Sequence, residues 1–130
     1  MKKIILILLI SAVFAGGFVV TAFAQLKDGE FTAQDDPDRQ KYAASIKIKV
    51  EGGKIVKVEY DEMKGKDSKK TSAYVNNEMK KRNGVAWSDA VKKLEDALVA
   101  GQNPDKIDKV SGATGTHKRF IALSKKALKK

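Results

Sequence analysis

The residues whose types and spacing best suit chemistry form a loop of small side chains near the end of the chain, Asp108-Lys109-Val110-Ser111-Gly112-Ala113-Thr114. Glycines such as Gly112 and the following Gly115 let backbone N–H groups approach an anion closely. A basic amphipathic stretch comes next, and a helix that starts there presents the positive end of its dipole to the loop. The loop therefore predicts a phosphate site.

Side chains in and after the loop extend this prediction. Thr114 offers a hydroxyl, while Ser111 and Thr116 offer hydrogen-bond donors. Lys118 or Arg119 supplies a positive charge within one helical turn. The same residues also suit a plain turn in which Thr116 caps the next helix and nothing binds. Because the loop lacks the Gly-Lys-Thr ending of a P-loop and the Gly-x-Gly-x-x-Gly spacing of a dinucleotide fold, its residues alone leave both interpretations open.

Metal chemistry has little support in the sequence. His117 is the single histidine and the chain has no cysteine, so a zinc-type site lacks ligands. We expect His117 either to titrate near a bound phosphate or to face solvent. The acidic run Asp35-Asp36-Pro37-Asp38 lacks the periodic ligands and the glutamate of an EF-hand loop, so we interpret it as a solvated turn.

The first 24 residues are a targeting segment. Met1-Lys2-Lys3 precedes the uncharged apolar run 4–24, and Ala22-Phe23-Ala24 before Gln25 fits cleavage of a secretory signal. The run is also long enough to cross a bilayer uncleaved, as a signal-anchor helix. In both cases the charge of the first residues places the folded part, residues 25–130, outside the cytoplasm, either membrane-anchored or secreted to the cell surface.

Composition narrows the range of partners. The formal net charge of +10 attracts polyanions such as lipid headgroups and wall polymers. Export makes nucleic acid an unexpected partner, and lysines that alternate with apolar residues indicate a mostly solvated basic surface. The lack of cysteine excludes a disulfide framework, a thiol nucleophile and the lipid-attachment residue of a lipoprotein signal. An anchored form would use the apolar run itself.

Strand signals occupy the first half of the folded part. Residues 28–32 predict a short strand and residues 34–39 a polar loop. Apolar residues then alternate with polar ones on both sides of Gly52-Gly53, which predicts an antiparallel hairpin with one buried face. The apolar positions are Ala44, Ile46, Ile48 and Val50 before the turn, and Val56, Val58 and Tyr60 after it.

Helix signals occupy the second half, after a loop predicted at 63–70. The first helix is predicted over 72–82, with Tyr74, Val75 and Met79 on one side and Asn83-Gly84 as its end. Ser88 is placed to cap the second helix, which ends at Gly101. The apolar stripe of this second helix comprises Trp87, Ala90, Val91, Leu94 and Leu98. A third helix follows the motif, and its apolar stripe comprises Phe120, Leu123, Ala127 and Leu128. We therefore expect an α+β domain, a small antiparallel sheet with a central hairpin packed against two or three helices.

The motif from Asp108 to Thr114 resembles the Asp-x-x-Ser-Gly-Ala-Thr site of FMN-binding-domain proteins, in which the final threonine carries FMN through a phosphoester. Asp28-Gly29-Glu30-Phe31 and the hairpin segment from Gly52 to Val58 occur in the family's order, so the resemblance covers most of 25–130. Such domains occur in exported electron-transfer proteins and are related to flavin-bearing subunits of sodium-pumping NADH:quinone reductases.

The resemblance implies a role for each motif residue. Thr114 would be the covalent FMN acceptor, while Ser111, Gly112 and Ala113 would shape the loop and Asp108 would be a recognition or orienting residue. Family members often carry a second Thr-Ser or His-Ser after the acceptor, whereas this chain has Gly115-Thr116-His117. Thr116 is therefore either a fallback acceptor or a hydrogen-bond donor.

The implied function is that of an exported, membrane-associated flavoprotein domain that shuttles electrons. Such a domain is an electron carrier more than a stand-alone enzyme. Its partners would be a flavin transferase that uses FAD and a divalent metal ion, and membrane-bound redox proteins. Trp87 is the best candidate to pack on the flavin ring, followed by three aromatics whose spacing also fits the core: Tyr74, Tyr60 and Phe120. The alternatives are a non-covalent FMN-binding domain and a basic surface-attached module without a redox cofactor.

Overall fold

The computed structural model describes residues 26–129, and the predicted signal or anchor segment 1–24 lies outside them. Four strands come first, then two helices, a short 3-10 turn at Pro104–Lys106 and a final helix. The strands are β1 Gly29–Gln34, β2 Ala43–Glu51, β3 Lys54–Lys64 and β4 Asp67–Ser68, and the helices are α1 Ala73–Asn83, α2 Trp87–Gly101 and α3 Thr114–Leu128. The predicted α+β class is confirmed.

The four strands form one antiparallel sheet in the order β1-β2-β3-β4. The predicted hairpin is its centre, and Gly52 and Gly53 turn the chain with φ angles of +62° and +78°. The four alternating apolar residues of β2 are all buried, as expected. Helices α2 and α3 pack against the sheet, α2 on β3 and α3 on β1 and β2, so the core lies between the sheet and these two helices.

A β-bulge changes the predicted face of β3. Lys49 pairs with Lys57 but Val50 pairs with Ile55, so Val56 is an extra residue in the ladder. Ile55 is consequently 1% exposed and Val56 43% exposed, and the prediction that Val56 faces the core is wrong. Residues 63–70 are not a plain loop either, because β3 continues to Lys64 and turns into β4.

Helix α1 begins and ends as its sequence predicts. The Ser72 hydroxyl accepts a hydrogen bond from the Val75 N–H, and Gly84 ends the helix in the left-handed conformation. Yet no residue of α1 is fully buried, and Tyr74, expected on the apolar side with Val75, is 72% exposed. Val75 and Met79 are only half-buried, because α1 packs on α2 and does not reach the sheet.

The ends of α2 are stabilised by residues distant in sequence. The helix starts at Trp87, so Ser88 is not its cap; instead the Ser88 N–H donates to Oδ1 of Asn76 at 2.7 Å. Gly101 is its last residue, and Gln102 takes the left-handed conformation. The Gln102 amide then accepts from the Ile55 N–H and donates to the Ile55 carbonyl, which ties the helix end to β3. The predicted apolar stripe of α2 is buried throughout.

Candidate functional site

The predicted motif forms the connection from the 3-10 turn into α3. Two residues at its ends are buried, since Ile107 is 7% and Ala113 3% exposed. Between them the chain makes a turn, which is closed by a hydrogen bond of 2.9 Å from the Ala113 N–H to the Val110 carbonyl. The three residues with polar side chains that the sequence singled out lie on the outside of this turn: Asp108, Ser111 and Thr114. The structure therefore brings the motif together as one exposed loop.

Gly112 fits this loop because of its conformation and its neighbour. Its φ angle is +85°, and a Cβ added there would lie 2.5 Å from the carbonyl oxygen of Asn83. The motif loop therefore packs against the last residue of α1 at a distance that only glycine permits.

Thr114 is the first residue of α3 and is exposed to solvent. Ala113 precedes the helix, and no side chain among residues 26–129 caps it. The first backbone N–H groups of a helix have no partner within the helix, and here the first intrahelical bond is donated by the His117 N–H to the Ala113 carbonyl. The Thr114 hydroxyl thus stands beside uncapped donors at the positive end of the helix dipole, a place that suits a phosphate.

Thr116 has a different environment from Thr114. Its Oγ1 accepts a hydrogen bond of 3.1 Å from the indole Nε1 of Trp87, and the residue is only partly exposed. Because α3 already begins at Thr114, the interpretation of Thr116 as a helix cap is wrong. Its oxygen instead joins the start of α3 to the start of α2.

His117 is 8% exposed, so the expectation that it faces solvent is wrong. Its Nε2–H donates to the Ile107 carbonyl at 2.8 Å, which joins α3 to the residue just before the motif. Nδ1 is buried and has no hydrogen-bond partner among residues 26–129. Nowhere in this part of the chain do three His, Cys, Asp or Glu side chains gather as a metal site requires.

Arg119 is engaged away from the motif, contrary to its expected role near a phosphate. Its guanidinium lies 2.9 Å from Asp35, 3.0 Å from Asp38 and 3.3 Å from Glu62, and it also donates to the Tyr42 carbonyl. The acidic run is therefore an ion-pair site for Arg119 and not a free solvated turn. Lys118 remains exposed beside the motif.

This ion pairing shifts the acidity of the groups involved. Burial alone would raise the pKa of Asp35, but the hydrogen bonds from Arg119 and the Ala44 N–H outweigh it and hold that pKa below its usual range. For Asp38 burial is likewise outweighed, here by the Tyr42 and Gln40 N–H groups and by Arg119, so its pKa is also lowered. The hydrogen bond to Asp35 is the main reason that the pKa of Arg119 is raised.

A cleft of about 670 Å³ opens beside the motif, between α1 and the end of β3. Two of its residues also contact the motif region, since Asn83 touches Gly112 and Trp87 donates to Thr116. Its lining combines aromatic and apolar groups with positive charges: Tyr42, Tyr74, Val75, Met79 and Trp87, with Lys64, Lys69 and Arg82, and with Gln40, Glu78 and Asn83. Such a composition suits a flat, partly anionic ligand.

The four aromatic candidates divide between this cleft and the core. Tyr60 and Phe120 are fully buried and pack edge to face, with ring centroids 5.3 Å apart. They are core residues. Trp87, only 2% exposed, lies at the boundary between core and cleft, and Tyr74 is on the open side of the cleft. A larger cleft of about 810 Å³ lies on the sheet between Thr32 and Lys126. No motif residue lines either cleft, but Asn83 and Trp87 connect the smaller one to Gly112 and Thr116.

A buried carboxylate that pairs with a residue of the cleft was not predicted. Glu62 is 2% exposed and accepts hydrogen bonds from the Tyr60 hydroxyl at 2.7 Å and from Lys69 Nζ at 2.6 Å. Burial, followed by the adjacent Glu62 charge, raises the pKa of Tyr60. The sequence does carry a signal for this carboxylate, because Glu62 continues the inward-facing positions Val58 and Tyr60 of β3.

Fold and site together define a small α+β cofactor-binding domain. The chain matches the family model of the FMN-binding domain over residues 41–129, and it belongs to that family. FMN is accordingly its cofactor. The residues of the site fit this molecule, because an exposed hydroxyl and uncapped helix N–H groups suit its phosphate, and an aromatic cleft with positive charges suits its ring.

Relatives of known sequence or structure support the assignment. The chain is 29% identical over 109 residues to the 15 kDa lipoprotein of Treponema pallidum (strain Nichols), covering 82% of this chain and 77% of that protein. The crystal structure of the CPE2226 protein from Clostridium perfringens is similar with a TM-score of 0.76 and 34% identity, over 80% of this chain and 87% of that one. A solution NMR structure from Clostridium thermocellum is similar with a TM-score of 0.55 and 30% identity, over 80% and 91% of the two chains.

Proposed function

We propose that this protein carries FMN joined through its phosphate to the hydroxyl of Thr114 and works as an electron carrier outside the cytoplasm. The observation that carries the proposal is the position of Thr114, exposed at the uncapped start of α3, two residues before the Thr116 that bonds to Trp87 of the cleft. An incoming phosphoryl group reaches that hydroxyl without displacing a side chain, and the helix start stabilises its negative charge.

Comparison of the two threonines favours Thr114 as the acceptor. The Thr116 oxygen already accepts the indole N–H of Trp87, a bond that attachment at Thr116 would disturb next to the core. Thr114, by contrast, is the first residue of the same helix, is exposed to solvent and is followed by Gly115. In this proposal Thr116 is a hydrogen-bond partner of Trp87, and Ser111, Gly112, Ala113 and Asp108 form and orient the loop.

Attachment requires a partner enzyme. A flavin transferase that uses FAD and a divalent metal ion would join the FMN phosphorus to the Thr114 oxygen, break the pyrophosphate bond of FAD and release AMP. Asp108 and Ser111, exposed on the same turn, are the residues that such an enzyme would recognise. The bound flavin then supplies the redox chemistry, while this chain supplies binding, orientation and charge. A covalent cofactor is retained outside the cell whatever its non-covalent affinity.

The location follows from the first residues and from the relative. The Treponema protein is named a lipoprotein, but this chain has no cysteine to carry a lipid, so its anchor would be the apolar run 4–24. Within residues 26–129 none of the helices has the length and apolar character needed to cross a membrane. A surface-held domain of this kind would exchange electrons with membrane-bound redox partners.

The test is co-expression with an active flavin transferase, followed by intact mass and flavin fluorescence on a denaturing gel. The variants are Thr114→Ala and, as the matched control on the same helix turn, Thr116→Ala. We expect an added FMN mass in the wild type and in Thr116→Ala, and none in Thr114→Ala. Flavin that remains after Thr114→Ala would refute this attachment site. Yellow protein that loses all colour on denaturation would instead establish non-covalent binding, and colourless wild type would favour the basic surface module.

A further inference from the structure

We propose that Lys69 and Glu62 act as an opposed pair that sets the reduction potential of the flavin, Lys69 raising it and Glu62 lowering it. The inference rests on the proposed function and places the flavin ring of the attached FMN in the cleft between α1 and β3. Lys69 lines that cleft, and Glu62, which does not line it, forms an ion pair with Lys69. Glu62 is a positioning residue, since it acts on the ring through Lys69 and through its own charge.

Lys69 is held in place more firmly than an ordinary surface lysine. Its side chain is 14% exposed, and its Nζ lies 2.6 Å from Oε1 of Glu62. The same ammonium lies over two aromatic faces, 4.6 Å from the ring centroid of Tyr42 and 5.4 Å from that of Trp87. A cation confined in this way holds its charge at one place in the lining of the cleft, and because its side chain is mostly buried, solvent ions screen it weakly.

The other two cations of the cleft are less confined. Arg82 has a side chain that is 73% exposed and a contact of 3.4 Å with Glu78 on the same helix. Lys64 is exposed, although it too lies over the Tyr42 ring, at 4.8 Å. Exposed charges are largely screened by water and salt, so among these three Lys69 contributes most to the field in the cleft.

Glu62 carries the opposing charge. Its side chain is 3% exposed and its carboxylate accepts from Tyr60 and Lys69, with Arg119 at 3.3 Å. Arg119 is itself neutralised by Asp35 and Asp38, so removal of the Glu62 charge leaves Lys69 as the unbalanced group facing the cleft. Reduction adds negative charge to the ring. A positive neighbour therefore favours the reduced form, and a negative neighbour favours the oxidised form.

The decisive experiment measures the midpoint potential of flavin-loaded wild type, Lys69→Gln, Glu62→Gln and the double variant, with the covalent FMN of each verified by intact mass. The matched control is Lys70→Gln. Lys70 adjoins Lys69 in sequence and pairs with Glu95 at 2.8 Å, but it lines the other cleft.

We expect Lys69→Gln to lower the ratio of reduced to oxidised flavin at a fixed applied potential about tenfold, which equals about 30 mV for a two-electron couple. Glu62→Gln should raise that ratio by a similar factor, and the double variant should lie between the two. Lys70→Gln should change the ratio by less than about twofold, because Lys70 does not line this cleft and its charge is paired with Glu95. High salt should leave the Lys69 effect in place.

Shifts of the midpoint potential in opposite directions for Lys69→Gln and Glu62→Gln distinguish this role from a purely structural one, which would shift both potentials in the same direction. Lys69→Gln could fail to fold because Glu62 loses its partner. In that case Glu62→Gln is compared with the double variant, since these two proteins differ only at residue 69. Equal midpoint potentials for the two would overturn the proposal. Equal shifts for Lys70→Gln and Lys69→Gln would also overturn it. Wild type without covalent flavin would refute the proposed function and this inference together.

Discussion

The backbone of Gly112 lies against Asn83, so closely that a Cβ at Gly112 would stand 2.5 Å from the Asn83 carbonyl oxygen. Asn83 ends the helix that lines the cleft, and Gly112 lies within the motif 108–114. Cleft and motif are thus in direct backbone contact. A substitution at Gly112 is therefore expected to alter both the cleft and the motif.

Gly112→Ala should disturb the motif more than a glycine substitution normally does. Alanine at φ +85° costs about 1–2 kcal/mol, and displacement of the Asn83 carbonyl adds about 1–3 kcal/mol. Urea unfolding should show a loss of about 3 kcal/mol, and intact mass should show less FMN. The matched control is Gly84→Ala, at φ +82° but with nothing within 4 Å of the added Cβ. Equal losses for the two variants would show that the contact with Asn83 does not matter.

The hydrogen bond between Trp87 and Thr116 should be measurable as a coupling energy. Trp87→Phe removes the donor and Thr116→Val removes the acceptor, each at some cost in packing or unpaired groups. In a double-mutant cycle by urea unfolding, we expect a coupling of about 1 kcal/mol. Covalent FMN should remain in all three variants, since none alters Thr114. Loss of FMN in Thr116→Val would argue that Thr116 is the acceptor after all.

Asp35 should make the protein sensitive to acid. Its folded pKa lies below its usual value of 3.8, so its stabilising contribution is complete above about pH 4 and is lost as the pH falls through the lowered value. Asp35→Asn should cost about 1–2 kcal/mol at pH 7, allowing for the partial exposure of the pair, and should flatten the fall in stability below pH 4.

Asp36→Asn is the control for this acid sensitivity, because the Asp36 contact with Arg119 uses the backbone carbonyl, not the carboxylate. Urea unfolding from pH 7 to pH 2 compares the three proteins. An Asp35→Asn profile parallel to that of the wild type would show that the acid sensitivity has another source.

His117 should stabilise the motif through its bond to Ile107. His117→Leu leaves the buried Ile107 carbonyl without its donor, which costs about 1–3 kcal/mol in unfolding free energy. His117→Gln places an amide donor near the position of Nε2 and should recover about half of that loss. Urea unfolding of both variants checks this, together with the rate of FMN loading. Equal losses for Leu and Gln would indicate that the ring shape matters and the donated proton does not.

Local sequence patterns predicted most of the fold. The alternation of β2, the Gly52-Gly53 turn, the end of α1 at Asn83-Gly84 and the apolar stripe of α2 depend on residues close in the chain, and the structure agrees with each. The bulge at Val56 was missed because Ile55 and Val56 are both β-branched and equally suited to face the core. The cap of α2 was missed because Asn76, which accepts the Ser88 N–H, belongs to another helix.

The candidate site, like the fold, could be predicted where it depends on neighbouring residues and could not where it depends on contacts between distant ones. The motif is a continuous segment, so its residues and its position before a helix were readable from the sequence. The partners of Arg119 were not, because Asp35 lies 84 residues away and only the packing of α3 across β1 and β2 brings the two together. For the same reason the pairing of Lys69 with Glu62 became visible only once β4 folded the chain back beside β3.

Helix α1 has no fully buried residue and packs mainly on α2, with the motif loop against its last residue, yet it forms one wall of the cleft. Its local opening therefore costs less free energy than that of any element whose side chains fill the core. We therefore expect α1 to open locally while the sheet, α2 and α3 stay folded. In amide hydrogen exchange, a ligand seated in the cleft would slow α1 most of all, because it would pack against the side of α1 that residues 26–129 leave only half-buried.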